Sequence, residues 1–221
     1  MSVLQPRNVV ILGSTGSIGR STLDVIESFP DRFRILALAA ARDHVTLQQQ
    51  IDRHRPTLVA CADGGQLLTG ATLIDSSDAL TILATLDQAD MIVVATTGHV
   101  AIVPTIEALL AGKIVALANK EAIVAAGEIV MPIARAGPGE LRPVDSEHSA
   151  LWQCLGGPDA DLERVHRLVL TASGGPFRGW SRERLATVAP EAALRHPTWR
   201  MGAKVTVDSA TLMNKGLEMI E

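Results

Sequence analysis

The 221-residue sequence contains no tyrosine, three phenylalanines and three tryptophans, so its core has to be built from Ala, Val, Ile and Leu. An aliphatic core favours a mixed α/β architecture over a β-sandwich, whose sheets usually recruit aromatic side chains. Cysteine is also scarce. Cys61 and Cys154 are too few and too far apart for a zinc site or a disulfide framework, and they read as buried thiols of a reducing compartment. No block of Lys and Arg occurs and the formal charge is −4, which argues against nucleic acid as the main partner. No apolar run reaches about 18 residues, the length a membrane-spanning helix needs. Glu107, Lys113, Lys120, Glu121 and Glu128 interrupt the most hydrophobic stretch, and no Arg/Lys-led apolar leader opens the chain. These absences lead us to expect a cytoplasmic protein without a membrane partner. With 47% hydrophobic and 20% charged residues, the chain can bury a substantial core.

The first 144 residues alternate between short apolar runs and amphipathic segments. Strands are expected at Asn8–Leu12, Phe33–Ala40, Thr57–Cys61, Met91–Thr96, Lys113–Ala118 and Leu141–Val144. Helices are expected at Ile18–Ser28, Val45–His54, Asp78–Leu86, Val103–Leu110 and Glu121–Ala136. Strands that are apolar throughout and separated by helices imply a parallel sheet covered on both faces, the doubly wound nucleotide-binding architecture. The Ala136–Glu140 run, AGPGE, is the candidate boundary, giving a first domain over 1–144 and a second over 145–221. In the second, Arg164–Thr171 and Lys204–Val207 read as strands, with a long Gly-, Pro- and Arg-rich segment, 173–202, between them. A loop of that length inside a compact domain is usually functional. The chain ends within a helical pattern, Ser209–Glu221, so the second domain is expected to be incomplete.

Three constellations carry chemistry. Gly13-Ser14-Thr15-Gly16-Ser17-Ile18-Gly19 follows the first strand and opens the first helix, where glycines let backbone N–H groups approach a pyrophosphate. Its GxxGxxG spacing also fits a plain strand-to-helix turn. At the end of the second strand, Ala41-Arg42-Asp43 stands where cofactors without a 2′-phosphate meet an acid. Arg42 would pair with a 2′-phosphate and so points to NADP, or else caps a surface loop, whereas Asp43 would repel that phosphate. Asp145-Ser146-Glu147 follows a strand. In extended backbone, i and i+2 face one way and could converge on a hard cation, with Glu218 as a third carboxylate. Such a set suits Mg²⁺ or Mn²⁺ better than zinc, although an Asp-x-Glu is also what a helix N-terminus favours. Ser173-Gly174-Gly175, Ser209 and Asn214-Lys215-Gly216 would suit a phosphate, but each also fits an ordinary turn or a solvated helix. Lys120 follows Asn119 at a strand end, the edge where doubly wound folds bind ligands, or is a surface lysine beginning a helix.

Taken together these blocks are far more specific. GSTGSIG (13–19), LANKE (117–121), PVDSEH (143–148), ASGGPF (172–177), RHP with WxMG (195–202) and VDSATxMNKGLE (207–218) occur in the order found in the 1-deoxy-D-xylulose 5-phosphate reductoisomerase family. The chain resembles that family over its whole length. The resemblance implies NADPH-dependent, divalent-metal-dependent rearrangement and reduction of 1-deoxy-D-xylulose 5-phosphate to 2-C-methyl-D-erythritol 4-phosphate, in non-mevalonate isoprenoid biosynthesis.

The same resemblance assigns residues. Thr15, Gly16, Ser17 and Ile18 match the pyrophosphate turn, and Ala41, Arg42 and Asp43 the adenosine ribose and 2′-phosphate. Asn119 and Glu121 match nicotinamide-side contacts and Gly202 a further cofactor contact. Asp145, Glu147 and Glu218 match the ligands of Mg²⁺, Mn²⁺ or Co²⁺. Lys120, Asp145 and Glu147 match the catalytic residues, with Ser146 also at the reacting groups. Ser173, His196, Ser209, Asn214 and Lys215 match the substrate set, mostly around its phosphate. Trp199 matches the apolar part of a lid, and His148 reads as a support beside the metal rather than a ligand. Two positions depart from the usual pattern: Asp43 where Asn is usual, and Ala101 where Gly is common. Family members continue past Glu221 through the rest of the catalytic domain, a dimer-forming sheet and a helical domain. A homodimeric full-length parent is therefore expected, with this stretch alone weakly active or inactive. The rival readings are a simple NADP-dependent sugar-phosphate dehydrogenase and a non-catalytic nucleotide-binding module.

Overall fold

The computed structural model describes residues 5–63, 69–158, 161–199 and 201–221. The chain forms two compact units, one running to Cys154 and one starting at Leu155.

The first unit is built on seven parallel strands: β1 (Arg7–Leu12), β2 (Phe33–Ala40), β3 (Leu58–Cys61), β4 (Thr72–Leu73), β5 (Met91–Val94), β6 (Ile114–Leu117) and β7 (Glu140–Pro143). Their order across the sheet is β4-β3-β2-β1-β5-β6-β7, so the chain winds outward one way from β1, returns, and winds outward the other way. That reversal beside β1 is where doubly wound sheets open a crevice for ligands. The sheet bears out the expected α/β class. The two-residue strand β4 was not expected, being too short to carry a period.

Alternation along the strands sends side chains to opposite faces. Val10, Leu12, Ile92, Val94, Val115 and Leu117 pack on one face, with Leu83, Leu109 and Ile123 from the helices covering it. Val9, Ile11, Leu38 and Val59 pack on the other, under Leu23, Ile26, Leu47 and Ile51. Each large aliphatic side chain fully removed from water contributes about 1.5–3 kcal/mol. The covering helices are α1 (Ser17–Ser28) and α2 (His44–His54) on this second face. On the first they are α3 (Ala79–Ala84), α4 (Ile102–Leu110) and α5 (Lys120–Ala136). Strand registers pair Leu12 with Ala39 and Val94, and Val94 with Leu117, which in turn pairs with Pro143. The strands therefore end level, and the loops after β1, β2, β5, β6 and β7 share one edge.

A last helix of this region, α6 (Ser146–Leu155), starts directly after β7. Asp145 and Glu147 consequently lie at a helix start and not in extended backbone, which corrects the i, i+2 argument for their convergence.

The second unit differs from expectation. It carries α7 (Arg182–Leu185), α8 (Pro190–Ala193), α9 (Ala203–Ala210) and α10 (Met213–Ile220), with no strand among the described residues. Lys204–Val207, expected as a strand, lies inside α9. Thr206 and Ala210 are its buried positions, four apart, and Thr206 Oγ1 donates back to Gly202 O at 2.9 Å, so the helical period overrides the β-branched composition. Arg164–Thr171 is likewise not a strand: it begins in a 3₁₀ turn, Leu162–Arg164, and continues without regular structure. Leu168, Val169 and Leu170 are 71%, 70% and 64% exposed, so consecutive side chains face solvent with no neighbouring strand to fix a register. The final helical pattern is two helices. Leu212, at φ 61°, breaks the run between α9 and α10. Within 173–202, Arg200 lies outside the described residues.

Candidate active site

The glycine turn is held from both sides. Gly13 N and Ser14 N both donate to Ala39 O at 2.9 Å, fixing the turn to the end of β2. Gly13 has φ +93°, and a Cβ there would lie 2.6 Å from Ala95 O. A Cβ on Gly19 would lie 2.3 Å from Gly13 O, so these positions admit only glycine. Gly16 starts α1 without any side-chain hydrogen bond capping the helix, and its amides are presented at the positive end of the helix dipole. Thr15, Gly16, Ser17 and Ile18 are all on this turn.

Ser14 and Gln50 were missed by sequence reasoning. The Ser14 hydroxyl donates to Gln50 Oε1 at 2.7 Å, and Gln50 Nε2 donates to Ser14 O at 2.9 Å. Both residues are buried, and the reciprocal pair ties the turn to α2. The available signal was a glutamine between Leu47 and Ile51 on the buried face of an amphipathic helix.

At the end of β2, Asp43 caps α2, its Oδ1 accepting from Thr46 N at 3.0 Å. Hydrogen bonds from Thr46, with lesser help from Arg20 and His44, hold the Asp43 carboxyl below its ordinary range. Arg42 is exposed and stands 3.9 Å from Asp63, while Ala41 continues the chain out of the strand.

Asn119, at 2% exposure, caps α5 and joins two strand-end loops. Its Oδ1 accepts from Ala122 N at 2.8 Å, and its Nδ2 donates to Thr96 O at 2.7 Å and Gly98 O at 2.9 Å. Lys120 begins α5 and reaches Asp145 Oδ2 at 2.6 Å, with both side chains largely buried. Burial pushes the Asp145 carboxyl up, but the Lys120 hydrogen bond and charge outweigh it. The Ser146 amide and His148 add to them, and the carboxyl is left below its ordinary value. Lys120 is therefore no surface lysine. Glu121 lies in the first turn of α5, and Ser146 and Glu147 in the first turn of α6.

In the second unit Ser173, His196 and Ser209 come together. Ser173 Oγ lies 3.2 Å from His196 Nε2 and 3.4 Å from Ser209 Oγ. His196 Nδ1 accepts from Thr198 N at 3.2 Å and Trp199 N at 2.9 Å, which leaves Nε2 to carry the proton in the neutral ring. Gly175, at φ +60°, brings the Ser-Gly-Gly turn against α9: a Cβ there would be 2.8 Å from Ser209 O. On α10, Asn214 Nδ2 and Lys215 Nζ each bond one oxygen of buried Glu218. Gly202 starts α9, and Trp199 is 62% exposed, so it is not a core tryptophan. The carboxylates matched to the metal are thus divided: Asp145 and Glu147 belong to the first unit and Glu218 to the second.

A doubly wound sheet with a glycine turn after β1 and a lysine–carboxylate pair at the same edge defines an α/β nucleotide-binding protein equipped for chemistry. Comparison with known proteins makes this specific. The 1-deoxy-D-xylulose 5-phosphate reductoisomerase family model matches residues 9–127, and the model of that family's C-terminal domain matches residues 141–221. The chain belongs to this family. It is 48% identical to the reductoisomerase of Pelotomaculum thermopropionicum over 224 residues, covering 97% of this chain and 57% of that protein. It is 51% identical to that of Thermomicrobium roseum over 215 residues, covering 96% and 56%. A crystal structure of DOX-P reductoisomerase with NADPH, fosmidomycin and magnesium superposes with TM-score 0.87 at 36% identity, covering 97% of this chain and 57% of that one. The Zymomonas mobilis enzyme with NADPH gives 0.85 at 40% identity, covering 98% and 57%. The chain thus spans little more than half the length of these relatives.

Proposed function

We propose that this chain carries the NADPH-binding and metal-binding residues of a 1-deoxy-D-xylulose 5-phosphate reductoisomerase. The whole protein rearranges and reduces that sugar phosphate to 2-C-methyl-D-erythritol 4-phosphate in the cytoplasm, as a homodimer. The observation that carries the reading is the shared edge of one sheet. The glycine turn lies after β1, and the buried Lys120–Asp145 pair, at 2.6 Å, joins the ends of β6 and β7.

The residues fit the groups they would hold. For NADPH, the Gly13–Gly19 turn leaves room only for backbone, and the uncapped start of α1 offers amides to a pyrophosphate. Arg42, exposed at the end of β2, would pair with a 2′-phosphate. For the cation, Asp145, Glu147 and Glu218 are hard oxygen donors suited to Mg²⁺, Mn²⁺ or Co²⁺. A bound dication supplies Lewis-acid polarisation of the substrate carbonyl and its neighbouring hydroxyl, and NADPH supplies the hydride.

The protein's own groups do the rest. Lys120 holds a protonated ammonium, oriented by Asp145, at the reacting hydroxyl and carbonyl groups, with Glu147 and Ser146 beside it. Ser173, His196, Ser209, Asn214 and Lys215 bind the phosphate, which takes no part in bond changes. Its binding energy orders segment 173–202, so Trp199 covers the substrate and water is excluded. Asn119, whose side chain is fully used in joining loops, shapes the nicotinamide side together with Glu121, and Gly202 adds a cofactor contact. In this reading residues up to 144 mainly serve the cofactor and those from 145 mainly the chemistry, with Lys120 and Gly202 crossing that division.

The test is NADPH oxidation with 1-deoxy-D-xylulose 5-phosphate, on a protein of the relatives' full length that carries these 221 residues, with and without Mg²⁺ or Mn²⁺. Oxidation that requires the metal is expected. Equal rates after chelation would replace the reductoisomerase reading with a simple dehydrogenase.

A further inference from the structure

We infer that Arg20 sets the cofactor preference of this chain by engaging Asp43, so that the carboxylate at the end of β2 does not select a dinucleotide lacking the 2′-phosphate. The inference rests on the dinucleotide reading of the glycine turn and names a residue which that reading does not use.

An acid at the end of the second strand of such a sheet accepts from the ribose 2′-hydroxyl and repels a 2′-phosphate. Asp43 stands at that place, so its sequence context alone would favour the cofactor without the phosphate. The structure gives both of its oxygens other work. Oδ1 accepts from Thr46 N at 3.0 Å as the cap of α2. Oδ2 lies 3.9 Å from the Arg20 guanidinium. Arg20 is itself anchored, its Nε donating to Thr15 O at 2.8 Å within the glycine turn. One side chain therefore spans from the pyrophosphate turn to the ribose end. Its pair with Asp43 is solvent-screened like that of Arg42 with Asp63, and the hydrogen bond to Thr15 O is what keeps the Arg20 charge beside Asp43.

Arg42 is left for the phosphate. It is exposed, and its ion pair with Asp63 at 3.9 Å is of the solvent-screened kind that costs little to exchange. A dianionic 2′-phosphate is a stronger partner for it than Asp63. Arg20 thus acts through Asp43 and is a positioning residue rather than a phosphate ligand.

The test is calorimetric titration of NADPH and NADH into the unaltered chain, Arg20→Gln, and the Arg20→Gln/Asp43→Asn double variant. Asn retains the helix cap, so the double variant keeps α2 intact. Arg20→Gln is expected to weaken NADPH by about fivefold or more and NADH by much less, and Asp43→Asn in the same chain to restore most of the NADPH affinity. Equal weakening of both nucleotides by Arg20→Gln would overturn the proposal. So would failure of Asp43→Asn to rescue, because Arg20 would then be touching the phosphate itself. An unaltered chain that binds neither nucleotide overturns the dinucleotide reading, and this inference with it.

Discussion

The two units bring together, by opposite means, the polar groups that the proposed function assigns to anions. In the first, a parallel sheet buried on both faces ends its strands level. The site is made of backbone at those ends, locked by Ser14, Gln50 and Asn119. In the second, hydroxyl, imidazole and amide groups are carried on short helices and a long irregular segment, while Leu168, Val169, Leu170, Met219 and Ile220 face solvent. A site that is ordered by a core exists before its ligand arrives. A site carried on short, solvent-exposed elements depends on its ligand for order, and part of the binding energy goes into that ordering.

Substitutions that strike the preordered half should separate it from the other. The largest effect is expected at Gly19→Val, whose Cβ would meet Gly13 O at 2.3 Å. Displacing the turn should cut NADPH affinity about a hundredfold, read by calorimetry, with the far-ultraviolet spectrum unchanged. Normal affinity would show that the turn is not the cofactor's seat. Next comes Lys120→Ala, which leaves Asp145 largely buried without its cation. Urea unfolding should show a loss of about 2 kcal/mol, less than the ~3–5 of a fully buried pair, and Asp145→Asn in the same chain should recover much of it. Gln50→Leu strands the buried Ser14 hydroxyl and should cost about 1–2 kcal/mol, with a parallel fall in NADPH affinity that an unlinked core change would not give.

Ser173→Ala sharpens the contrast from the other side. It removes the hydroxyl between His196 and Ser209 and should weaken inorganic phosphate about fivefold while leaving the NADPH titration unmoved. A change in both would mean the two sites are energetically one. The smallest effect concerns acid. The Glu140–Arg142 pair, bonded at 2.7 and 2.8 Å, holds the Glu140 carboxyl below its ordinary value. Because the folded value is the lower one, the unfolded chain takes up the proton first on acidification. The pair's stabilisation is therefore present above the ordinary carboxylate range and lost as pH falls through the folded value. A Glu140→Gln variant should lose slightly less stability between neutral and acidic pH than the parent, measured by thermal melts.

The same contrast explains what could be read from sequence. Strands such as Phe33–Ala40, apart from Arg34 at its exposed start, and Met91–Val94 are apolar because both faces are covered, and that pattern is local. Lys204–Val207 looked like a strand because Val, Thr and Val are β-formers, yet burial at Thr206 and Ala210 fixes it as helix, which only tertiary packing decides. Among site residues, Gly13, Gly16 and Gly19 announced themselves by spacing. Ser173 and Ser209 were legible only as phosphate candidates that also fitted ordinary turns, and His196 only through family resemblance, the three being drawn from separated segments. Gln50 and Arg20 were invisible for a related reason. Each makes a contact set by the fold, Gln50 with Ser14 36 residues away and Arg20 with Asp43 at the start of the second helix, and no short motif records such a pairing.

The Asn119 side chain has a consequence of a different kind. One amide serves as acceptor to Ala122 N and as donor to Thr96 O and Gly98 O, using every hydrogen it has. Replacing that amide by a carboxylate, as in Asn119→Asp, would exchange two donors for an acceptor facing two carbonyl oxygens. The helix cap would survive, but the loop after β5 would be pushed away from the start of the fifth helix. Lys120, the next residue along, would be the first to feel the loss of that single nitrogen, because its helix starts at the Asn119 cap.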